Sequence, residues 1–139
     1  MSTQLHKTIP RVNPDYYTRA PHGYTIIDLD GTIWVKKKKS RWVGMRIATG
    51  YRKSLTTQQL TTAHNWDSVE LYNPLTNVKY PPLLSAAQQP RGTICITDQQ
   101  EIIIKTYKAQ WSSLTKDTTY TCKQMIDMDS QILGHYGHK

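Results

Sequence analysis

Phenylalanine is absent from this chain of 139 residues, so nine tyrosines and four tryptophans must supply its aromatic packing. Each of these side chains carries a polar group that prefers a partner or water, which places some of the rings near a surface. Only two cysteines occur, Cys95 and Cys122, too few for the disulfide framework of a small secreted domain. The first residues also lack the apolar segment of a signal peptide, so we expect a cytoplasmic, reducing location.

Long apolar runs are missing as well. The most apolar stretch, residues 101–105, is far shorter than the roughly 20 residues of a membrane-spanning helix, so we expect no membrane partner. No Walker loop, dinucleotide-binding glycine motif or serine-nucleophile elbow is present. The histidines show no spacing typical of a metal site, and we expect neither a metal ion nor a cofactor.

Acidic residues are missing between Asp30 and Asp67, and this gap contains eight of the eleven Lys and Arg residues found among the first 53 residues. Residues 1–53 hold eleven Lys and Arg against three Asp, whereas residues 54–139 hold seven basic and seven acidic residues. The net charge of +8 therefore lies entirely in residues 1–53. Such a distribution favours a polyanionic partner, because Lys and Arg neutralise phosphates and release condensed counterions.

The succession of turn and strand signals predicts one α+β domain over residues 24–139, preceded by an extended N-terminal arm over residues 1–23 that contains three prolines. We expect a twisted antiparallel sheet of about five strands, curled or like a small barrel. A Pro-rich connection over residues 73–92 is the place where any internal boundary would lie. The sequence shows no repeat.

Two hairpins are expected to carry the basic residues. The first turns at residues 29–31, with Gly31 at a left-handed position, and pairs Asp28 with Thr32. The second turns within residues 36–40, where an odd-length loop keeps the two faces in phase.

Strand parity then assigns side chains to two faces. The side chains expected to point inward are Val35, Val43, Met45 and Ile47. The side chains expected to share an exposed face are Trp34, Lys36, Trp42 and Arg46.

Further along the chain, a Thr-x-x-Gln capping box at residues 56–59 predicts a short middle helix. Residues 93–97 and 101–107 read as another hairpin. Apolar residues at helical spacing predict a C-terminal helix over residues 121–136, with Gly134 as its stop.

The basic and aromatic hairpin face predicts non-enzymatic nucleic-acid binding. Basic side chains would hold phosphates, and exposed rings would stack on bases at about 1–3 kcal/mol each. The candidate contact residues are Trp34, Lys36, Lys37, Lys38, Lys39, Arg41, Trp42, Arg46, Tyr51, Arg52 and Lys53. The sequence does not choose between DNA and RNA or between single and double strands. By analogy, such a compact, basic, cofactor-free chain suits a small viral or phage regulatory factor.

Two alternatives stay open. The same charge suits a protein-interaction module or inhibitor that docks on an acidic surface of an enzyme or polymerase. In addition, the eight residues Ile-Ile-Asp-Leu-Asp-Gly-Thr-Ile at 26–33 resemble the first motif of the haloacid dehalogenase-like phosphatases. That resemblance implies a doubly wound parallel sheet, Asp28 as nucleophile, Asp30 as general acid and base, and Mg²⁺ as cofactor.

Overall fold

The computed structural model describes residues 7–9, 14–28, 30–63, 68–76, 79–106 and 109–136. These residues form three short helices and eleven strands in two antiparallel sheets. The predicted α+β class and antiparallel pairing are confirmed. The prediction of one curled or barrel-like sheet is wrong, because the strands divide between two open sheets of six and five strands.

The chain divides into two compact units. Of the described residues, those within 7–46 and 51–76 form the N-terminal unit, and those within 47–50 and 79–136 form the C-terminal unit. The division after residue 78 falls inside the Pro-rich connection predicted over residues 73–92. The assignment of residues 24–139 to one domain stays a prediction.

The N-terminal unit has a six-stranded sheet in the order β1-β6-β2-β3-β4-β5. Its elements are β1 (Lys7–Ile9), α1 (Pro14–Arg19), β2 (Thr25–Asp28), β3 (Thr32–Lys37), β4 (Arg41–Arg46), β5 (Arg52–Thr56), α2 (Thr57–Ala63) and β6 (Ser68–Tyr72).

The segment expected to be an extended arm differs from that expectation. Strand β1 pairs with β6, and α1 buries Tyr17 in the core. Pro14 is the first residue of this helix, a position where its missing N–H would have no helical partner in any case. Three prolines in a short segment therefore did not imply an extended chain throughout.

Both predicted basic hairpins are present. Strands β2 and β3 pair Ile27 with Ile33, and Gly31 in the turn has a φ of 90°, as predicted, while Leu29 lies outside the described residues. Residues 38–40 form a three-residue turn, which has the predicted odd length. Across that turn Lys36 pairs with Trp42 and Trp34 pairs with Gly44.

The C-terminal unit has a five-stranded sheet in the order β10-β9-β8-β7-β11. Its elements are β7 (Thr93–Thr97), β8 (Ile102–Lys105), β9 (Trp111–Ser113), β10 (Thr119–Tyr120), α3 (Cys122–Asp127) and β11 (Ser130–His135). The predicted hairpin of β7 and β8 is confirmed, although Tyr107 lies outside the described residues.

Only six of the sixteen residues in the helix predicted over residues 121–136 are helical. A capping box of Thr121 and Gln124 begins α3, which buries Met125 and ends at Asp127. Residues 130–135 instead form β11, which pairs with β7. Apolar residues at helical spacing did not reveal this strand, because a tertiary edge that offers backbone hydrogen bonds overrides such a short pattern.

The two units repeat one topology, contrary to the expectation of no repeat. Each has four antiparallel strands, a short helix and a last strand that pairs with the first: β2-β3-β4-β5-α2-β6 and β7-β8-β9-β10-α3-β11. Both helices begin with the same capping box, Thr56 with Gln59 and Thr121 with Gln124. Few residue identities accompany this shared topology, which explains why the sequence alone did not reveal it.

Gly44 provides a test of the packing in the N-terminal unit. A Cβ atom at this position would lie 2.6 Å from the six-membered ring of Trp34. We expect Gly44→Ala to lower the free energy of unfolding by about 1–3 kcal/mol, measured by chemical denaturation. In a Trp34→Leu background the same substitution should cost clearly less. Equal costs in both backgrounds would contradict the assigned contact.

Candidate nucleic-acid interface

Three of the four side chains predicted to share an exposed face are buried. The parity of that face is right, because Trp34, Lys36, Trp42 and Gly44 lie on one side of the sheet. However, α1 and α2 cover that side, and the exposed fractions are 2% for Trp34, 0% for Trp42 and 5% for Lys36. The core there consists of Tyr17, Tyr24, Ile26, Trp34, Trp42 and Leu60. The predicted exposure of these three residues is therefore wrong.

Hydrogen bonds hold both indoles inside the unit. Trp34 Nε1 donates to Asp28 Oδ2 at 2.8 Å, and Trp42 Nε1 donates to Thr57 Oγ1 at 3.2 Å. The ring of Trp42 also meets Tyr17 edge to face, with centroids 5.9 Å apart. These tryptophans have no free face for a base, so their aromatic role is packing.

The opposite face agrees with the sequence analysis. Val35, Met45 and Ile47 are buried and Val43 is half-buried. Strand β3 is therefore enclosed on both sides. A central strand of this kind cannot present alternate side chains to solvent.

Lys36 is a structural cation. Its ammonium group donates to the carbonyl oxygens of Tyr17 at 2.8 Å and Thr18 at 2.9 Å, in the last turn of α1. It also lies 5.8 Å from the centre of the Trp42 ring. Burial lowers the pKa of this lysine by penalising its charged form. We call this arrangement the lysine cap.

The same cap recurs in the C-terminal unit. Lys105 donates to the carbonyl oxygens of Ala86, Ala87 and Gln89 at 2.8–3.1 Å and lies 5.7 Å from the centre of the Trp111 ring. Both lysines lie near the end of the second strand of the repeated topology, and both tryptophans belong to the third. A device present in both units belongs to the fold rather than to a binding face.

The turn between β3 and β4 keeps its cations at the surface. Lys38, Lys39 and Arg41 are exposed and Lys37 is half-buried. We call residues 37–41 the basic tip. Within the described part of the chain, no carboxylate forms an ion pair with Lys38, Lys39 or Arg41.

The remaining predicted contacts lie at the other end of β4 and β5. Arg46 is exposed but approaches Asp30 at 3.5 Å, and Lys53 is exposed with its ammonium 5.6 Å from the centre of the Trp34 ring. Arg52 is half-buried and Tyr51 is 64% exposed. Five residues of strand separate this end from the tip, about 17 Å at roughly 3.3 Å per residue.

The phosphatase-like motif has a structural use here. Asp28 is buried and accepts from Trp34 Nε1 and from Ser68 Oγ, at 2.8 and 3.2 Å. Asp30 is exposed, accepts from the Thr32 amide in the turn, and faces Arg46. All described strand pairs are antiparallel, so the doubly wound parallel sheet implied by the resemblance is contradicted.

A cleft of about 510 Å³ adjoins the basic tip, and the sequence analysis did not anticipate it. It is lined by Thr18, Lys39, Ser40, Thr56, Thr57, Gln58, Thr61 and Thr62. The cleft depends on how α1, the tip and α2 meet. The only sequence signal for it was the concentration of Thr and Gln over residues 56–62.

Comparison of the sequence with protein-family models found no match, and comparisons with curated proteins and with solved structures found none either. No helix in the described part of the chain has the length and apolar character needed to cross a bilayer. Among the same residues, no three His, Cys, Asp or Glu side chains are grouped so that they could hold a metal ion.

The lysine cap predicts different costs for neighbouring lysines. Lys36→Met leaves two carbonyl oxygens without their charged donor, and we expect the free energy of unfolding to fall by about 2–3 kcal/mol. Lys38→Met removes an exposed charge and should change it by less than about 0.5 kcal/mol. Chemical denaturation of both variants measures the difference. Equal stabilities would show that the ammonium of Lys36 does not support the end of α1.

The two thiols should differ in reactivity. Cys95 is buried in the core of the C-terminal unit, and burial raises its pKa to about 12, whereas Cys122 is half-buried at the start of α3. Because the thiolate is the reactive species, a thiol reagent should label Cys122 in the native protein and Cys95 only after unfolding. Cys122→Ser should therefore abolish native labelling. Rapid labelling of that variant would contradict the assigned core.

Proposed function

We propose that this protein binds nucleic acid without catalysing a reaction, and that the basic tip contacts the sugar-phosphate backbone. The observation that carries the proposal is the exposed, acid-free group of Lys38, Lys39 and Arg41. Closely spaced cations of this kind attract phosphates and gain from counterion release. Lys37 borders the group, and the more distant Arg46, Arg52 and Lys53 add to the same positive field.

The second unit supports this proposal as an internal comparison. Residues 37–41 read Lys-Lys-Lys-Ser-Arg, whereas residues 106–110, which also separate the cap lysine from its tryptophan, read Thr-Tyr-Lys-Ala-Gln. The hairpin topology is the same, so the fold does not require four cations in this segment. Their concentration in one unit favours a ligand as the reason for them.

The burial of Trp34 and Trp42 narrows the proposed mode of binding. Stacking on bases is left to Tyr51, and the other contacts are electrostatic. Contacts of Lys and Arg with phosphates position a protein but carry no sequence information. The proposed binding is therefore weakly selective for base sequence and strongly dependent on salt.

The test is fluorescence anisotropy with labelled single-stranded DNA, duplex DNA and RNA across a salt series. Replacing Lys38, Lys39 and Arg41 together by Gln should weaken binding and reduce the slope of log affinity against log salt by about two to three, at roughly 0.7–0.9 for each lost phosphate contact. Lys36 stays unchanged, because its loss would affect folding.

A control variant distinguishes the effect of losing the basic tip from the effect of lowering the net charge. Replacing Lys79, Arg91 and Lys123 by Gln also removes three positive charges, but from exposed positions of the C-terminal unit. This variant should keep most of the wild-type affinity and slope. Equal losses in both variants would show that no particular surface is used. Binding that does not respond to salt with any of the three nucleic acids would refute the proposed function.

A further inference from the structure

We propose that the cleft beside the basic tip is a phosphate-binding site, which receives one phosphate group of the bound nucleic-acid backbone. This inference rests on the nucleic-acid binding proposed above and adds a defined subsite to it. The cleft lies wholly within the N-terminal unit, between the end of α1, the basic tip and α2. None of its lining residues is acidic.

Several hydrogen-bond donors at this cleft have no partner in the part of the chain that the structure describes. Among the described residues, none forms a hydrogen bond or ion pair with the side chains of Lys39, Ser40 or Gln58. Thr56 Oγ1 accepts from the Gln59 amide at 3.1 Å, which leaves its own proton for a ligand. An ammonium, two hydroxyls and an amide together match the several acceptor oxygens of a phosphate.

Other lining hydroxyls are already engaged and serve to shape the cleft. Thr57 Oγ1 donates to the Ser40 carbonyl oxygen at 2.8 Å and accepts from Trp42. The hydroxyls of Thr61 and Thr62 donate to carbonyl oxygens one turn earlier in α2. The residues chosen for mutation are therefore those whose side-chain donors have no hydrogen-bond partner among the described residues.

The backbone of the tip fixes two of the ligand groups. Lys39 and Ser40 are consecutive residues with φ of 59° and 57°, a left-handed conformation that costs a non-glycine residue about 1–2 kcal/mol. The Thr57 amide also donates to the Ser40 carbonyl oxygen at 2.7 Å, which ties the tip to the start of α2. Lys39 and Ser40 are thus held beside the cleft.

The second unit shows that the fold does not need the Ser40 hydroxyl or the Gln58 amide, whereas Lys39 has a lysine, residue 108, at the same position in the sequence. Ala109 stands at the position of Ser40 and has the same left-handed backbone, with φ of 58°. Counting from the shared capping boxes, Cys122 matches Thr57, Lys123 matches Gln58 and Ile126 matches Thr61. The capping threonine is kept, whereas Ser40, Thr57 and Thr61 are replaced by side chains without a hydroxyl and Gln58 is replaced by a lysine. A ligand explains why the N-terminal unit has them.

The decisive variant removes donors without changing charge. In Ser40→Ala with Gln58→Ala, affinity for a labelled twelve-nucleotide dT strand should fall about five- to tenfold, from the loss of two hydrogen bonds donated by uncharged side chains, while the salt slope stays at its wild-type value. Ser40→Ala installs the residue that the C-terminal unit carries in the same conformation, so folding should be preserved, as checked by thermal unfolding. Gln99→Ala with Gln110→Ala, at exposed positions of the C-terminal unit, is the matched neutral control and should bind normally.

The outcomes separate this inference from the function it extends. If the tip variant loses binding but the Ser40 and Gln58 variant binds like wild type, the cleft is not a phosphate site although nucleic acid is bound. If no nucleic acid binds, the proposed function fails, and inorganic phosphate becomes the probe. Amide shifts at Ser40, Thr56 and Gln58 that saturate in wild type and vanish in the double variant would still support the site. Unchanged amide shifts would overturn it.

Discussion

A buried ammonium group organises each unit of this protein. Lys36 and Lys105 donate to carbonyl oxygens in the segment that precedes the first hairpin strand, and the carbonyl of each lysine accepts the amide of a glycine that follows that segment. Each lysine thereby ties the preceding segment to the sheet through both its side chain and its backbone. A buried carbonyl without a donor costs about 1–3 kcal/mol, so this arrangement constrains what surrounds it.

That constraint explains why one part of the sequence analysis was right and another was wrong. Hairpin register, the odd-length turn and the capping box at residue 56 depend on neighbours in sequence, and each was predictable. Exposure of Trp34 and Trp42 depends on what covers the sheet. One element that covers the sheet is α1, in a segment whose prolines had favoured an extended arm. Lys36 is buried beneath α1 because its ammonium donates to carbonyl oxygens eighteen and nineteen residues earlier in the chain. No local pattern encodes that pairing.

The repeated topology allows equivalent positions of the two units to be compared within one chain. Positions that keep their role in both units, such as the cap lysine, its tryptophan and the capping threonine, are explained by folding alone. Positions that differ while the backbone stays the same are the candidates for function. This criterion removes Lys36 and Trp42 from the predicted interface and adds Ser40 and Gln58, which no charge or aromatic pattern had indicated.

The size of the remaining interface limits how this protein would act on a nucleic acid. The tip has three or four cations and can therefore make about that many phosphate contacts. Proteins whose affinity falls by about 10³–10⁵ between 50 and 200 mM salt make 6–10 such contacts. One tip alone would therefore bind weakly at physiological salt.

Tyr51 and Arg52 lie about 17 Å from the basic tip along β4 and β5, which is roughly five residues of strand. A single extended strand that reaches both ends would gain stacking as well as charge, whereas a rigid duplex phosphate ridge would gain charge only. Under the proposed function, we therefore expect single-stranded nucleic acid to bind more tightly than a duplex, a preference that could not be inferred from the basic segment of the sequence.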